Sequence, residues 1–487
     1  MGRRRASRSR CVLALTLLAA ACATPQPRSE AVQPLPAGFY SAAAEGLPPA
    51  EWWRRRLADP ALARLVEAAL ANSPDLEAAA ARIDQARAGL RASEAERMPL
   101  LSGSAGVTYN RSSANEFGFE GVGGGAGGPQ IDRERILYRA GIEGSWDADL
   151  FGRLRSDQRA ARARLDAAGF DASAVRLTLV TDVARNLVAA RAALTREGIA
   201  GETMETARLS LDLAAKRARA GLVAGIDRSR AETLLAETAA ALPPIQAEQS
   251  ARVAALAALT GLPPAEIEPL VAGSPQTPRF ETPAAGIPSD LLLRRPDIAA
   301  AFAQVAAADA ATASAIAARY PRLSITGAIG LVAAALGDVF SLDALSASAG
   351  PGLAGSILDF GRNRARAARA RAEAREAVAA WRGTVLRAFS EVETSLAAVE
   401  ARERQRLALL RQLAAAGETA EIARKQYRSG LTDYLGVLDA ERAVNRTRDQ
   451  LAAAEAEGAD AQLALYRAIG GDFERAPPPA GRPPTKG

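Results

Sequence analysis

Phe151-Gly152-Arg153 returns as Phe360-Gly361-Arg362, and that recurrence decides the fold. The same displacement of 209 positions pairs Lys216 with Lys425, Gly221 with Gly430, Glu232 with Glu441 and Gly261 with Gly470. Upstream the displacement is 222, pairing Pro74-Asp75 with Pro296-Asp297 and Pro99 with Pro321. The chain therefore holds two copies of one helix–β–helix unit of roughly 200 residues. The difference between the displacements places 13 extra residues in the first copy, between Pro99 and Gly152.

Outward from the repeated tripeptides, the hydrophobic period switches in each copy. Leu101 to Tyr109 alternates; so does Ile136 to Asp147, with Ile136, Tyr138, Ala140 and Ile142 set against Leu137, Arg139, Gly141 and Glu143. Two alternating runs joined by a loop predict a β-hairpin, and the second copy repeats it over Leu323–Val332 and Leu345–Leu358. One face is apolar and the other small or polar, which is also the pattern of membrane β-barrel strands of about 10 residues. Four such strands cannot close a barrel, and lipid does not tolerate open edges. If the strands lie in a membrane, closure requires partner chains.

On the other side of each Gly-Arg the pattern is helical and very long. Asn363 to Gln426 contains no proline and would extend roughly 95 Å as helix. Val378, Trp381, Val385, Phe389, Val392, Leu396 and Val399 step by three or four, a seam for another helix; Trp381 is packing there. In the first copy Val180, Leu187 and Leu194 step by seven. The long helices end at the helix-tip turns Gly221 and Gly430, where glycine supplies a left-handed C-cap. A returning helix then runs to Gly261 or Gly470. Before the strands, Leu62, Leu65, Val66, Ala69 and Leu70 share a helix face, Asn72-Ser73-Pro74-Asp75 breaks it, and 75–97 forms a second helix.

The composition excludes several functions. The chain has no histidine, so it has no Ser-His-Asp triad, His metal site or His pH switch. The two cysteines, Cys11 and Cys22, both lie near the start, leaving no metal cluster. No catalytic, cofactor-binding or metal-binding constellation is expected. The net charge of +6 owes five arginines to residues 1–21; without them 56 basic face 55 acidic residues, which gives no argument for nucleic acid. The arginines of 362–375 are interleaved with Ala and Glu as on a solvated helix face. Gly123 to Gly128 contains a formal G-x-G-x-x-G, but it lies in the surplus between two strands rather than opening a helix.

Residues 1–21 read as a signal peptide: a basic stretch to Arg10, then apolar Val12 to Ala21, too short to span a bilayer. The end, Leu18-Ala19-Ala20-Ala21-Cys22, resembles the bacterial lipoprotein cleavage box, with Ala19 where that box usually has Leu. The resemblance implies acylation of Cys22, and Ala23 in place of Asp implies sorting to the outer membrane.

The chain as a whole resembles the outer-membrane efflux protein family of TolC-like channel-tunnels, in its NodT-type lipoprotein branch. The resemblance is carried by Trp52-Trp53 with Asp59-Pro60, by Asp290-Leu291-Leu292-Leu293-Arg294-Arg295-Pro296-Asp297, by Trp146-Asp147 through the junction Phe151-Gly152-Arg153, by Leu358-Asp359 with the junction Phe360-Gly361-Arg362, and by Tyr427 through Gly430-Leu431 to Tyr434-Leu435 and Leu438-Asp439-Ala440. It implies a mainly α chain with a small β part. Two tandem helix–β-hairpin–long-helical-hairpin repeats would trimerise into a 12-stranded outer-membrane β-barrel continued by a periplasmic α-helical barrel. The implied role is the passive exit duct of a tripartite, RND-type efflux pump in a Gram-negative outer membrane, with a periplasmic adaptor, an inner-membrane transporter and outer-membrane lipid as partners, and no cofactor. The alternatives are the duct of a type I protein-secretion system and a non-conducting coiled-coil lipoprotein. The expected layout is a lipidated tether at 22–50, repeats at 51–265 and 287–472 joined by a linker at 266–286, and a disordered Pro-rich tail at 473–487.

By motif, Leu435, Asp439 and Arg442 map onto the periplasmic gate of that family. They are spaced i, i+4, i+7 and share one helix face. An alternative is that Leu435 packs in a seam and Asp439 pairs with Arg442. The first copy has Ile226, Arg230 and Thr233 in the equivalent places.

Overall fold

The computed structural model describes residues 59–111, 134–220, 225–273 and 294–471. Cys22, Gly221, the glycine run and both termini lie outside the described residues. The elements follow the repeat: α1 (Pro60–Asn72), α2 (Pro74–Ala95), β1 (Leu100–Arg111), β2 (Glu134–Asp147), α3 (Arg153–Arg219), α4 (Gly225–Thr260), α5 (Pro264–Ala272), α6 (Pro296–Ala317), β3 (Arg322–Ala333), β4 (Leu345–Ala354), α7 (Arg362–Arg428) and α8 (Tyr434–Ala468). Contacts divide them into two compact units.

The first unit, residues 84–166 and 303–378, contains the sheet. Its order is β1-β2-β3-β4, antiparallel throughout, so β2 of the first copy pairs with β3 of the second. The hairpins share one register. Ala105↔Ala140, displaced by 222 and 209, becomes Gly327↔Ala349, and every β3–β4 pair has such a counterpart in β1–β2. The indole of Trp146 donates to the Arg97 carbonyl at 2.9 Å, and the Phe151 ring stacks on Tyr320 with centroids 4.7 Å apart. Asp149 caps α3, its carboxylate accepting from the Leu154 and Arg155 amides at 2.9 Å. Asp359 caps α7, accepting from the Gly361 and Asn363 amides. Bonds from the Asn363 and Gly361 amides hold that carboxyl below its usual range. Both caps place an anion at the positive end of a 67-residue helix.

The expected strand from Leu345 to Leu358 is corrected to Leu345–Ala354. The first copy supplies the reason. Trp146 and Asp147 are strand only through pairing with β3, at Ile325 and Ser324. Their counterparts, Gly355 and Ser356, have no strand on that side. α6 is long and apolar enough to cross a bilayer, but its apolarity is mostly alanine, which suits close helix packing.

The second unit, residues 59–83, 167–302 and 379–471 of the described chain, is helical. Its main core gathers Leu62 and Leu65 of α1, Val183 and Leu187 of α3, Leu256 of α4, Ile267 of α5 and Leu463 of α8. Of the predicted α7 seam, Trp381, Val385, Val392 and Leu396 are buried and Val378, Phe389 and Val399 half-buried. Two buried arginines fasten this core. Arg191, 1% exposed, forms a bidentate pair with Asp59, whose carboxylate also accepts from the Ala61 and Leu62 amides as the N-cap of α1. Arg295 binds Asp297 and Glu391 at 2.7 Å and the Ala468 carbonyl at 2.9 Å. The segment expected as linker from 266 starts inside α5, whose Ile267 and Val271 are buried in the core. α4 runs through Pro243-Pro244, which lack the N–H groups for the carbonyls four residues earlier. The second copy has Ala452-Ala453 there, and α8 is free of proline.

Candidate functional site

Two features of the described chain can carry function: the two faces of the sheet and the far ends of the helical hairpins.

Directly opposed residues in an antiparallel sheet point to the same side, so the register sorts the sheet without ambiguity. Val107 opposes Tyr138, Ile142 opposes Ile329 and Leu331 opposes Leu345, so these side chains share one face across all four strands. The other face carries Ser104, Thr108, Arg139, Glu143, Thr326 and Ser348. Among the described residues only one patch of the apolar face is covered, where Val339 and Ala344 pack on Tyr138, Leu331 and Ala333; every β1 residue is exposed, and Leu101, Val107, Ile142, Ile329 and Leu353 are among the exposed large apolar side chains. Such a contiguous apolar surface on a folded chain marks contact with another protein or with lipid. Among the described residues β1 and β4 are unpaired edges.

At the helix ends, Gly430 takes φ +72 and closes α7 with a Schellman turn, the Leu431 amide donating to the Gln426 carbonyl at 2.9 Å and the Gly430 amide to Tyr427 at 3.1 Å. Asp433 then caps α8, accepting from the Gly436 amide at 3.2 Å. Tyr427 and Tyr434 meet at 5.6 Å between centroids, with the Arg217 guanidinium 4.5 Å from the centre of the Tyr427 ring. Ala207, Ala214, Leu234, Val437 and Leu438 complete a small core. Glu441 is buried and accepts from Arg424 Nε at 3.0 Å, whereas its repeat counterpart Glu232 is exposed.

Leu435 and Asp439 are exposed on α8, one turn apart, and Asp439 makes no hydrogen bond or ion pair among the described residues. Arg442, two turns on from Leu435, is paired not with Asp439 but with Glu237 of α4, its guanidinium donating at 2.9 and 3.1 Å. Arg230 pairs with Asp227, at 3.9 Å. A groove of about 690 Å³ between α3, α4 and α8 surrounds the Arg442–Glu237 pair, lined also by Arg196, Asp449, Thr203 and Pro244. α8 is held to α3 by Arg185–Asp460 at 2.8 Å and by Arg196–Asp449 at 2.7 Å. These links join the two copies. Their donors and acceptors are separated by more than 200 positions, which leaves no local spacing signal in the sequence.

The family model for outer membrane efflux proteins matches residues 65–262 and 287–471. The chain belongs to the outer membrane efflux protein family. The chain is 32% identical over 472 residues to the pyoverdine export outer membrane protein OpmQ of Pseudomonas putida, spanning 95% of this chain and 97% of that one. It is 31% identical over 426 residues to the solvent efflux pump outer membrane protein SrpC of Pseudomonas putida, with 85% and 86% covered. The solved structure of the outer-membrane channel OprN is similar with a TM-score of 0.82 and 30% identity, over 92% of this chain and 99% of that one. As a member of the outer membrane efflux protein family, the chain is an outer-membrane component of efflux in a Gram-negative bacterium. The family is one of efflux ducts and not of enzymes.

Proposed function

We propose that three copies of this chain close a 12-stranded β-barrel through the outer membrane and a helical tunnel through the periplasm, and that this passive duct is the exit of a tripartite, RND-type pump. The observation that carries the reading is the sorting of the sheet into an apolar face and a polar face with two free edges. A single chain leaves the apolar face in water and two rows of backbone groups unpaired. Only closure with further strands satisfies both in lipid, and the polar face then lines a water-filled bore.

In this reading the two efflux repeats, 51–265 and 287–472, supply equivalent staves. The duct hydrolyses nothing; a periplasmic adaptor joins it to an inner-membrane transporter that provides the energy. Residues 1–21 direct export, and acylated Cys22 anchors the start of the mature chain in outer-membrane lipid. Leu435, Asp439 and Arg442 form the periplasmic closure, with three Asp439 carboxylates as an anionic ring and Leu435 as its apolar neighbour. Charged rings and dewetted constrictions are how pores select and gate. The relatives named for pyoverdine export and solvent efflux favour outward movement of small molecules over protein secretion.

Purified full-length chain, reconstituted in planar bilayers, should run as a trimer and conduct ions. A monomer that inserts without conductance would sink the proposal. Cys22→Ser should abolish palmitate incorporation; label that persists refutes the anchor.

A further inference from the structure

We propose that β4 of one subunit pairs with β1 of the next in one fixed register, set by the repeat, in which Ser348 faces Asn110 of the partner subunit. This deepens the reading above and rests on it: the sheet edges must meet in a ring for the joint to exist.

The chain already contains one joint between unlike copies. β2 of the first pairs with β3 of the second, with Arg139↔Val332, Ala140↔Leu331, Ile142↔Ile329 and Gly144↔Gly327. β4 is the second-copy counterpart of β2, displaced by 209, and β1 is the first-copy counterpart of β3, displaced by 222. The displacements are validated within the chain, because they carry the β1–β2 register onto the β3–β4 register without a slip. They also carry the bounds of β1, Leu100–Arg111, onto those of β3, Arg322–Ala333. Applied to the internal joint, they turn Arg139↔Val332 into Ser348 opposite Asn110 of the partner subunit. Ala140↔Leu331 becomes Ala349 opposite Tyr109 of the partner subunit, Ile142↔Ile329 becomes Pro351 opposite Val107 of the partner subunit, and Gly144↔Gly327 becomes Leu353 opposite Ala105 of the partner subunit.

Three features agree with this register. It keeps the faces: Leu353, Pro351 and Ala349 meet Ala105, Val107 and Tyr109 of the partner subunit on the apolar side, where a slip by one residue would turn every pair over. It also supplies the missing third strand for Gly355 and Ser356, so β4 lengthens on assembly to match β2. Finally, the same operation carries the Phe151–Tyr320 stack onto Phe360 and Met98 of the partner subunit; these residues are 92% and 66% exposed in one chain. Because β4 and β1 are unlike, the contact is head-to-tail, the kind that generates rings when the rotation closes.

Cysteine cross-linking reads the register. Asn110 and Ser348 are exposed on the polar face, within reach of an aqueous oxidant. The full-length Asn110→Cys/Ser348→Cys chain, oxidised in membranes, should form dimers and trimers on non-reducing gels that collapse on reduction. Each single cysteine should give none. The shifted pair Gly106→Cys/Ser348→Cys, at a glycine with open space around it, should stay unlinked. Linking of the shifted pair, or of neither pair in a protein that still migrates as a native trimer, overturns the register and leaves the duct intact. A protein that is monomeric before any substitution overturns both.

Discussion

Gly141 lies opposite Gly330 where the two copies' hairpins join, and neither position has room for a side chain. A Cβ on Gly141 would meet the Ile329 carbonyl at 2.9 Å, and one on Gly330 would meet the Ala140 carbonyl at 2.7 Å. Both obstacles are backbone, so the strands themselves would have to part. Gly330→Val should weaken the sheet by about 1–3 kcal/mol, the usual cost of overpacking. Gly106→Ala, with nothing within 4 Å, should be silent. The temperature at which the assembled protein dissociates on semi-native gels checks this; equal temperatures for both variants would contradict it.

Arg442 and Glu237 tie α8 to α4 across the copies. The pair is partly exposed, so its coupling should be only ~0.2–1 kcal/mol. Arg442→Glu and Glu237→Arg should each loosen the helix ends and raise channel opening in planar bilayers. The double swap should restore the closed level. A swap no better than the worse single variant would show that the pair does not hold α8.

If Leu435 and Asp439 form the closure, Leu435→Ala with Asp439→Ala should raise single-channel conductance without altering assembly. Both side chains are exposed, so little folding energy is lost with them. Unchanged conductance in an intact assembly counts against the assignment.

Asp59 both caps α1 and neutralises buried Arg191. Asp59→Ala removes a cap, about 1 kcal/mol, and strands a buried charge, roughly 3–5 kcal/mol more. Asp59→Asn with Arg191→Met keeps the cap and removes the charge, and should lie close to the parent. Thermal denaturation separates these outcomes; an Asp59→Ala protein with the parental midpoint would refute the role.

Burial raises the Asp309 carboxyl above its usual range, with no compensating cation. A raised carboxyl pKa means the fold prefers the protonated form, so stability is gained as pH falls through that range and lost as it rises. Asp309→Asn should raise the melting temperature at about pH 8 and leave it unchanged near about pH 3. A gain independent of pH would point to packing instead.

The architecture was legible because it is periodic. Repeated Phe-Gly-Arg, alternating strands and the Trp381–Leu396 seam each depend on spacing along the chain, and each appears where the spacing puts it. The end of β4 is not legible because Gly355 lies beyond the last β3–β4 pair and has no strand on its other side among the described residues. α5 is not legible because the stretch from Glu266 through Pro269 reads as a linker, while buried Ile267 and Val271 hold the helix in the core. The partner of Arg442 is not legible in the sequence for a different reason. Asp439 is one turn away and Glu237 is 205 positions away, and only the packing of α4 on α8 decides between them.

The two free edges of the sheet differ from each other, and this has a genetic consequence. A subunit with a ruined β1 still offers a sound β4, so a healthy neighbour can recruit it and then find no continuation. Such an allele should be dominant when co-expressed with the parent, poisoning assemblies in proportion to its dose, whereas a subunit damaged on both edges should be ignored and behave as recessive.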